Sequence, residues 1–294
     1  MIDKKPSVSI VLPAYNEAPV VENLIASIKK VMARIPAYSY EIIVVDDASN
    51  DKTGEIANKA GAKVIRHLVN RGSGASRKTG IREAKGEIIL MMDVDGTYPA
   101  VEIPKLLNYF PVFDQVIGAR RGEAGTLKPL RFLAKLLIRS LASYLAGVKI
   151  PDLNSGMRAF KKEIMEKYLW LVPDGFSCVT TMTMTFLSNG HLVKWVPIVY
   201  KPRIGKSKFR PLGDTYNFLL TVIRMVLIYN PLKIFMPIGL TFLFLGVTKG
   251  IWTFFVLGLH AQMLELIFLL IGFFTVAIGL LADLMVTLSK KTNG

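Results

Sequence analysis

The sequence predicts an α/β domain on a mostly parallel sheet, followed by a two-helix apolar hairpin. Three patterns carry that expectation. β-rich apolar runs alternate with helical ones through the first 92 residues, in the manner of βαβ units. Three of those runs end in acidic residues: Glu17, then Asp46 and Asp47, then Asp93 and Asp95. Two long apolar stretches, 234–257 and 264–288, lie near the end of the sequence.

Taken in order, Ser7–Leu12 is a short strand closed by Pro13, with Pro13–Glu17 as its exit loop. A helix over Val20–Arg34 sets Val21, Leu24, Ile25, Ile28 and Met32 at helical spacing. Glu41–Val45 is a second strand that runs into Asp46–Asp51, a cluster of turn and cap residues. Thr53–Ala60 reads as a helix and Ala62–Ile65 as a third strand; Asn70–Gly74 is a loop before the helix Ala75–Ala84. The apolar strand Ile88–Met92 then ends in Asp93-Val94-Asp95-Gly96-Thr97. Two carboxylates at the exit of a buried strand are costly without a partner. A hard divalent cation such as Mg²⁺ offers one, because it takes oxygen ligands from one or two carboxylates plus substrate phosphates. In such sheets ligands bind beyond the carboxyl ends of the strands, so three acidic strand ends read as a single site.

Composition narrows the classes. The 294 residues suffice for one large domain or two smaller ones, and the hydrophobic share of 51% is concentrated after about residue 212. Mean hydropathy is +0.39. One cysteine, Cys178, excludes an internal disulfide framework and suits a reducing compartment. Met1–Ser7 is short and polar, unlike a signal peptide. The net charge of +15 is uneven: +2 over residues 1–110, +11 over 111–211 and +2 over 212–294. The middle third is therefore expected to face an anion. Nucleic acid is disfavoured, since no helix-turn-helix, zinc or RNA-recognition signature accompanies the charge.

Within that basic third, Leu130–Ala146 reads as a helix with Arg131, Lys135 and Arg139 four residues apart on one face. Broad apolar faces beside them suit an interfacial helix at anionic headgroups. Leu212–Asn230 is a second interfacial candidate, ended by Pro231. The organisation expected is a domain over 1–211, a juxtamembrane helix over 212–231 and a transmembrane hairpin over 232–294. Lys233 before the first span and Lys290 and Lys291 after the second put both ends of the hairpin in the cytoplasm, in a multi-pass cell-membrane protein. Lys249 stands inside the first span, with Glu265 or Asp283 as its expected structural partner.

The ordered set Pro13-Ala14-Tyr15-Asn16-Glu17, Val45-Asp46-Asp47-Ala48-Ser49, Asn70-Arg71-Gly72 and Asp93-Val94-Asp95 resembles the signature of family-2 glycosyltransferases of the Rossmann-like GT-A fold. Asp152-Leu153-Asn154-Ser155-Gly156-Met157-Arg158-Ala159-Phe160 is similar to a stretch of their polyprenyl-phosphate branch, the dolichyl-phosphate mannose synthases and relatives. Gly175-Phe176-Ser177 and Arg203–Lys208 match that branch too. No Q-x-x-R-W motif of polymer synthases is present. The resemblance implies a nucleotide-sugar donor such as GDP-mannose or UDP-glucose, with Mg²⁺ or Mn²⁺ on Asp93 and Asp95. Thr97 stands where relatives often have a glutamine ligand, so Thr97 or a water would complete the shell. It also implies donor contacts at Pro13, Tyr15, Glu17, Val45, Asp46, Asp47, Arg71 and Val94, with Asp47 ahead of Asp46 on the base or ribose.

The implied acceptor is a polyprenyl phosphate, dolichyl or undecaprenyl. Its oxygen is already anionic and needs no strong general base. Cations would position it, with Arg120, Arg131, Lys135, Arg139, Arg203 and Lys206 as candidates. Arg120 and Arg203 join Asp93 and Asp95 as the expected catalytic set, and a single displacement would invert the anomeric centre. His67, His191 and His260 are scattered and read as surface or structural. Two alternatives stay open: transfer to another lipid, whose hydroxyl would demand a base, and a non-catalytic sugar-nucleotide-binding adaptor. The hairpin also offers a surface for self-association.

Overall fold

The structure, a computed structural model, describes residues 5–120, 139–144, 146–175, 177–202, 216, 220–221, 223–225, 227–258 and 263–293. The chain divides into two compact units, Met1–Val222 and Ile223–Gly294. The strands of the first unit are β1 (Ser7–Ala14), β2 (Ser39–Asp46), β3 (Lys63–Arg66), β4 (Ile88–Met91), β5 (Gln115–Arg120), β6 (Arg158–Lys161) and β7 (Val193–Ile198). They form one sheet in the order β3-β2-β1-β4-β6-β5-β7. Neighbours pair in parallel except around β6, which runs against both β4 and β5. The helices are α1 (Ala18–Met32), α2 (Thr53–Lys59), α3 (Ser73–Glu83), α4 (Ile103–Leu107), α5 (Lys162–Lys167) and α6 (Cys178–Ser188).

Both faces of the sheet are covered, which is why its central strands are apolar throughout rather than alternating. Successive side chains point to opposite faces. Ile10, Leu12, Val44 and Leu90 therefore pack with Val21, Ile25 and Ile28 of α1. Val11, Ile43, Val45, Ile89 and Met91 pack on the other side with Ile81 of α3 and Met182 and Phe186 of α6.

The expected strands and helices are present through residue 92, with two instructive shifts. β1 continues through Pro13 to Ala14. Val11 C=O turns toward β4, accepting Met92 N–H at 3.4 Å, and Ala14 C=O turns toward β2, accepting Asp47 N–H at 2.9 Å. The missing donor of Pro13 thus falls on the β4 side, past the last β1–β4 pair, Val11↔Met91, where it costs no ladder bond. α3 begins at Ser73 instead of Ala75, because Gly74 and Ala75 donate their N–H groups to Asp174 C=O at 2.7 and 3.2 Å. A Cβ on Gly72, which has φ +91°, would lie 2.7 Å from that same oxygen.

The expected Leu130–Ala146 helix falls mostly outside the described residues; 139–144 are helical. The expected Leu212–Asn230 helix is helical at each described position from 216 to 229. In the second unit, α7 (Leu232–Leu257) and α8 (Met263–Asn293) contain stretches of 25 and 26 residues long and apolar enough to cross a membrane. Their backbones approach through glycines. A Cβ on Gly272 would meet Leu243 N at 2.7 Å and Gly239 O at 2.9 Å, and one on Gly279 would meet Phe235 Cβ at 2.5 Å. Small residues at such contacts let helices pack where burial from water gives no drive. Thr253 and Glu265 are turned inward, at 1% and 5% exposure, and Lys249 Nζ donates to Thr253 Oγ1 at 3.3 Å.

Candidate active site at the strand exits

Parallel pairing delivers the carboxyl ends of β1, β2 and β4 to one edge, with Ala14 level with Asp46 and Val11 level with Met91. The acidic residues foreseen at those ends therefore share that edge. Asp93 keeps its side chain 34% exposed and forms an ion pair with the buried Arg77 through Oδ1. Asp95 is buried, and its Oδ1 accepts both Thr97 N–H at 3.1 Å and Thr97 Oγ1–H at 2.6 Å. Thr97 thus orients Asp95. Among the described residues no group of three or more His, Cys, Asp or Glu converges. Two carboxylates, one of them open to solvent, fit a hard divalent cation that draws its remaining oxygens from a substrate.

The β1 and β2 exits are laced together. Asn16 N–H donates to Ser49 Oγ at 2.9 Å, Asn50 N–H to Asn16 Oδ1 at 2.8 Å and Glu17 N–H to Thr53 Oγ1 at 2.9 Å. These bonds hold Asn16 and Ala48 at φ +55° and +61°, a left-handed backbone that alanine disfavours. Asp46 is wholly buried; its Oδ1 accepts Ser49 N–H at 3.0 Å while Oδ2 lies 3.7 Å from Arg66 Nε. Asp47 accepts Arg71 N–H at 2.9 Å, Gly72 N–H at 2.8 Å and a contact from His67 Nδ1 at 2.7 Å. It ties the Asn70–Gly72 segment to the end of β2. Pro13, Tyr15 and Glu17 are half-buried at the edge and Arg71 is exposed. Val45 and Val94, by contrast, point their side chains into the two cores, so a donor contact from either would come through its backbone.

A third part of the edge comes from the other half of the sheet. Arg120, at the end of β5, binds Asp152 in a fork, Nε to Oδ2 at 2.7 Å and Nη2 to Oδ1 at 2.9 Å. Its guanidinium also lies 5.3 Å from the Tyr200 ring centre, and Tyr200 meets Tyr98 edge-on. Burial disfavours both charges, but each supports the other: Asp152 falls below its ordinary carboxyl range and Arg120 rises above its own. Tyr98 Oη accepts Gly156 N–H at 2.8 Å; burial and then the Asp93 charge push its pKa well up. Arg158, fully buried, is lowered by burial to about 10 and so stays charged at neutral pH.

Of the expected acceptor cations, Arg120 is thus partnered at the edge and Arg139 is exposed on its helical stretch. Arg131, Lys135, Arg203 and Lys206 lie outside the described residues. His67 is buried between Asp47 and Thr79, and His191 stands beside Asp114, as structural readings of both require. Sequence reasoning gave no role to Arg77, Tyr98, Arg158 or Tyr200. Arg77 did carry a signal: it stands four residues before the apolar Ile81, on the same face of α3, where a charge needs a reason.

Two family descriptions match the chain: glycosyl transferase family 2 over residues 9–169, and the GtrB C-terminal hairpin over 230–288. A dolichyl-phosphate hexose transferase of Haloferax volcanii is 30% identical over 221 residues, covering 74% of this chain and 93% of that one. A polyprenol monophosphomannose synthase of Mycolicibacterium smegmatis is 30% identical over 215 residues, covering 68% and 79%. Among solved structures, glucosyl-3-phosphoglycerate synthase from Mycobacterium tuberculosis with Mn²⁺, UDP and phosphoglyceric acid superposes with a TM-score of 0.60 at 21% identity, covering 75% and 78%. At that identity the likeness establishes the fold alone.

Proposed function

The chain belongs to glycosyl transferase family 2, and from that premise we propose that it transfers a hexose from a nucleotide sugar to a polyprenyl phosphate at a cytoplasmic membrane face. The observation that carries the reading is the pair Asp93 and Asp95 at the β4 exit, with Arg77 and Arg120 at the same edge, in a chain that also carries the two-helix hairpin. The hairpin would anchor the enzyme, and the relatives named for dolichyl- and polyprenyl-linked products support the acceptor class.

Asp93 and Asp95 would hold Mg²⁺ or Mn²⁺, which would bind the donor diphosphate and neutralise the charge that develops on it as the sugar leaves. Thr97 would hold Asp95 for that task through its two bonds. Pro13, Tyr15, Glu17 and the Asp47–Arg71–Gly72 junction would receive the nucleoside, with Asp46 stiffening the turn beneath. The acceptor phosphate would attack without a base, which agrees with the engagement of His67 and His191 elsewhere. Arg120 uses Nε and Nη2 on Asp152, so any phosphate contact from it would come through Nη1. Arg131, Lys135, Arg139, Arg203 and Lys206 would supply the rest, and the product would be inverted.

The test is a panel of nucleotide sugars incubated with short polyprenyl phosphates and Mn²⁺ or Mg²⁺. Lipid-linked sugar, lost on chelation, is the expected product. Sugar release to water alone, with no lipid product from any donor, would overturn the acceptor assignment.

A further inference from the structure

The Ser155–Gly156 peptide is gripped at both ends. Its carbonyl accepts Arg158 Nε–H at 3.2 Å and Nη2–H at 2.6 Å, while its N–H is donated to Tyr98 Oη at 2.8 Å. The remaining terminal nitrogen of Arg158 donates to Val179 C=O at 2.8 Å and Thr183 Oγ1 at 3.0 Å. All these partners are neutral. A fully buried cation whose hydrogen bonds, among the described residues, go to carbonyls and a hydroxyl is costly to retain, and hydrophobic packing would be the cheaper occupant. What arginine alone supplies is a planar fork onto one oxygen, which lysine cannot reproduce.

The clamped peptide lies directly against Asp93. A Cβ on Gly156 would sit 2.3 Å from Asp93 Oδ2, whereas Arg77 binds Oδ1. One oxygen is therefore set by α3 and the other is walled by the peptide that Arg158 and Tyr98 hold. We propose that Arg158 is a positioning residue for the divalent-cation site, fixing Asp93 through the Ser155–Gly156 peptide. This rests on the reading of Asp93 and Asp95 as cation ligands. Groups that orient metal ligands typically change metal affinity by about 10- to 100-fold when altered.

The experiment titrates the full chain in detergent with Mn²⁺ alone, then with UDP or GDP added, and reads free Mn²⁺ by electron paramagnetic resonance. Arg158→Lys should weaken Mn²⁺ binding by about tenfold or more. Tyr98→Phe removes only the hydroxyl at the far end of the same peptide and should weaken it several-fold in the same direction. Thr183→Val loosens Arg158 on the side away from the peptide; it should lower the melting temperature and leave Mn²⁺ affinity within about twofold. If Arg158→Lys does not fold, Tyr98→Phe decides. Folded variants of Arg158 and Tyr98 that bind Mn²⁺ like the parent would overturn the positioning role while leaving the cation site standing. So would Thr183→Val weakening Mn²⁺ as much as Arg158→Lys, which would mark general loosening. A parent that takes up no Mn²⁺, with or without nucleotide, would overturn the cation reading and this inference together.

Discussion

Asp93 and Asp95 stand two residues apart in different surroundings, one partly open and paired with Arg77, the other buried over Thr97. Asp95→Asn keeps an oxygen for the Thr97 donors while removing the charge. The fold should persist, by unchanged circular dichroism, and turnover at saturating donor and metal should fall by about 10²–10³. Near-normal turnover would remove Asp95 from the site. Asp152 offers a separate test, of stability. Burial alone would raise its pKa, but the hydrogen bonds and charge of Arg120 hold it below 3.8. A carboxyl lowered in the folded state contributes stability above its ordinary pKa and loses it as pH falls through the folded value. Asp152→Asn should therefore cost about 3–5 kcal/mol at pH 7, since it strands a mostly buried arginine, and the gap to the parent should narrow below about pH 4. Denaturant unfolding at pH 7 and pH 3 measures both; an equal gap at the two values would contradict the sign. The acidic triplet and the turn motifs were legible because each is contiguous in sequence. Arg77, Tyr98 and Arg158 were not, because each acts on a partner set by the fold: Asp93 for Arg77, the distant Gly156 for Tyr98, a bare carbonyl for Arg158.

Among elements, the βαβ half could be read directly from the sequence because buried parallel strands are continuous apolar runs bounded by turns. β6 and β7 gave no such signal. β6 has four residues with a charge at each end, and β7 is a half-buried edge strand that carries Pro197. The hairpin was legible as two spans, but not the manner of their contact, which depends on Gly239 and Gly272 meeting. Gly272→Leu should force those backbones apart and destabilise the hairpin by about 1–3 kcal/mol, the usual cost of overpacking. Phe244→Leu, at a position 68% exposed, should change little. Thermal melts of both variants in detergent provide the comparison, and a parent-like melt for Gly272→Leu would show that glycine contact is not what holds α7 to α8.

At the scale of the whole molecule, the two cores that flank the sheet belong entirely to the first unit. Ending the chain after Asn230 should therefore leave a folded protein that still binds donor. Transfer to a short, water-soluble prenyl phosphate should survive better than transfer to a native-length lipid, as parallel assays on the two acceptors would report. Equal loss on both would make the hairpin part of the catalytic scaffold. The reversed strand β6 has a consequence of its own. At β1, β2, β4 and β5 the polypeptide is leaving the sheet when it meets the site; at β6 it is arriving, so residues 152–157 reach the same rim from the opposite direction. The rim is thus a fixed socket facing a separately threaded jaw. Exchanging residues 152–157 between relatives would swap the jaw while every strand of the socket kept its partner, so the surroundings of Asp93 could change without any re-pairing of the sheet.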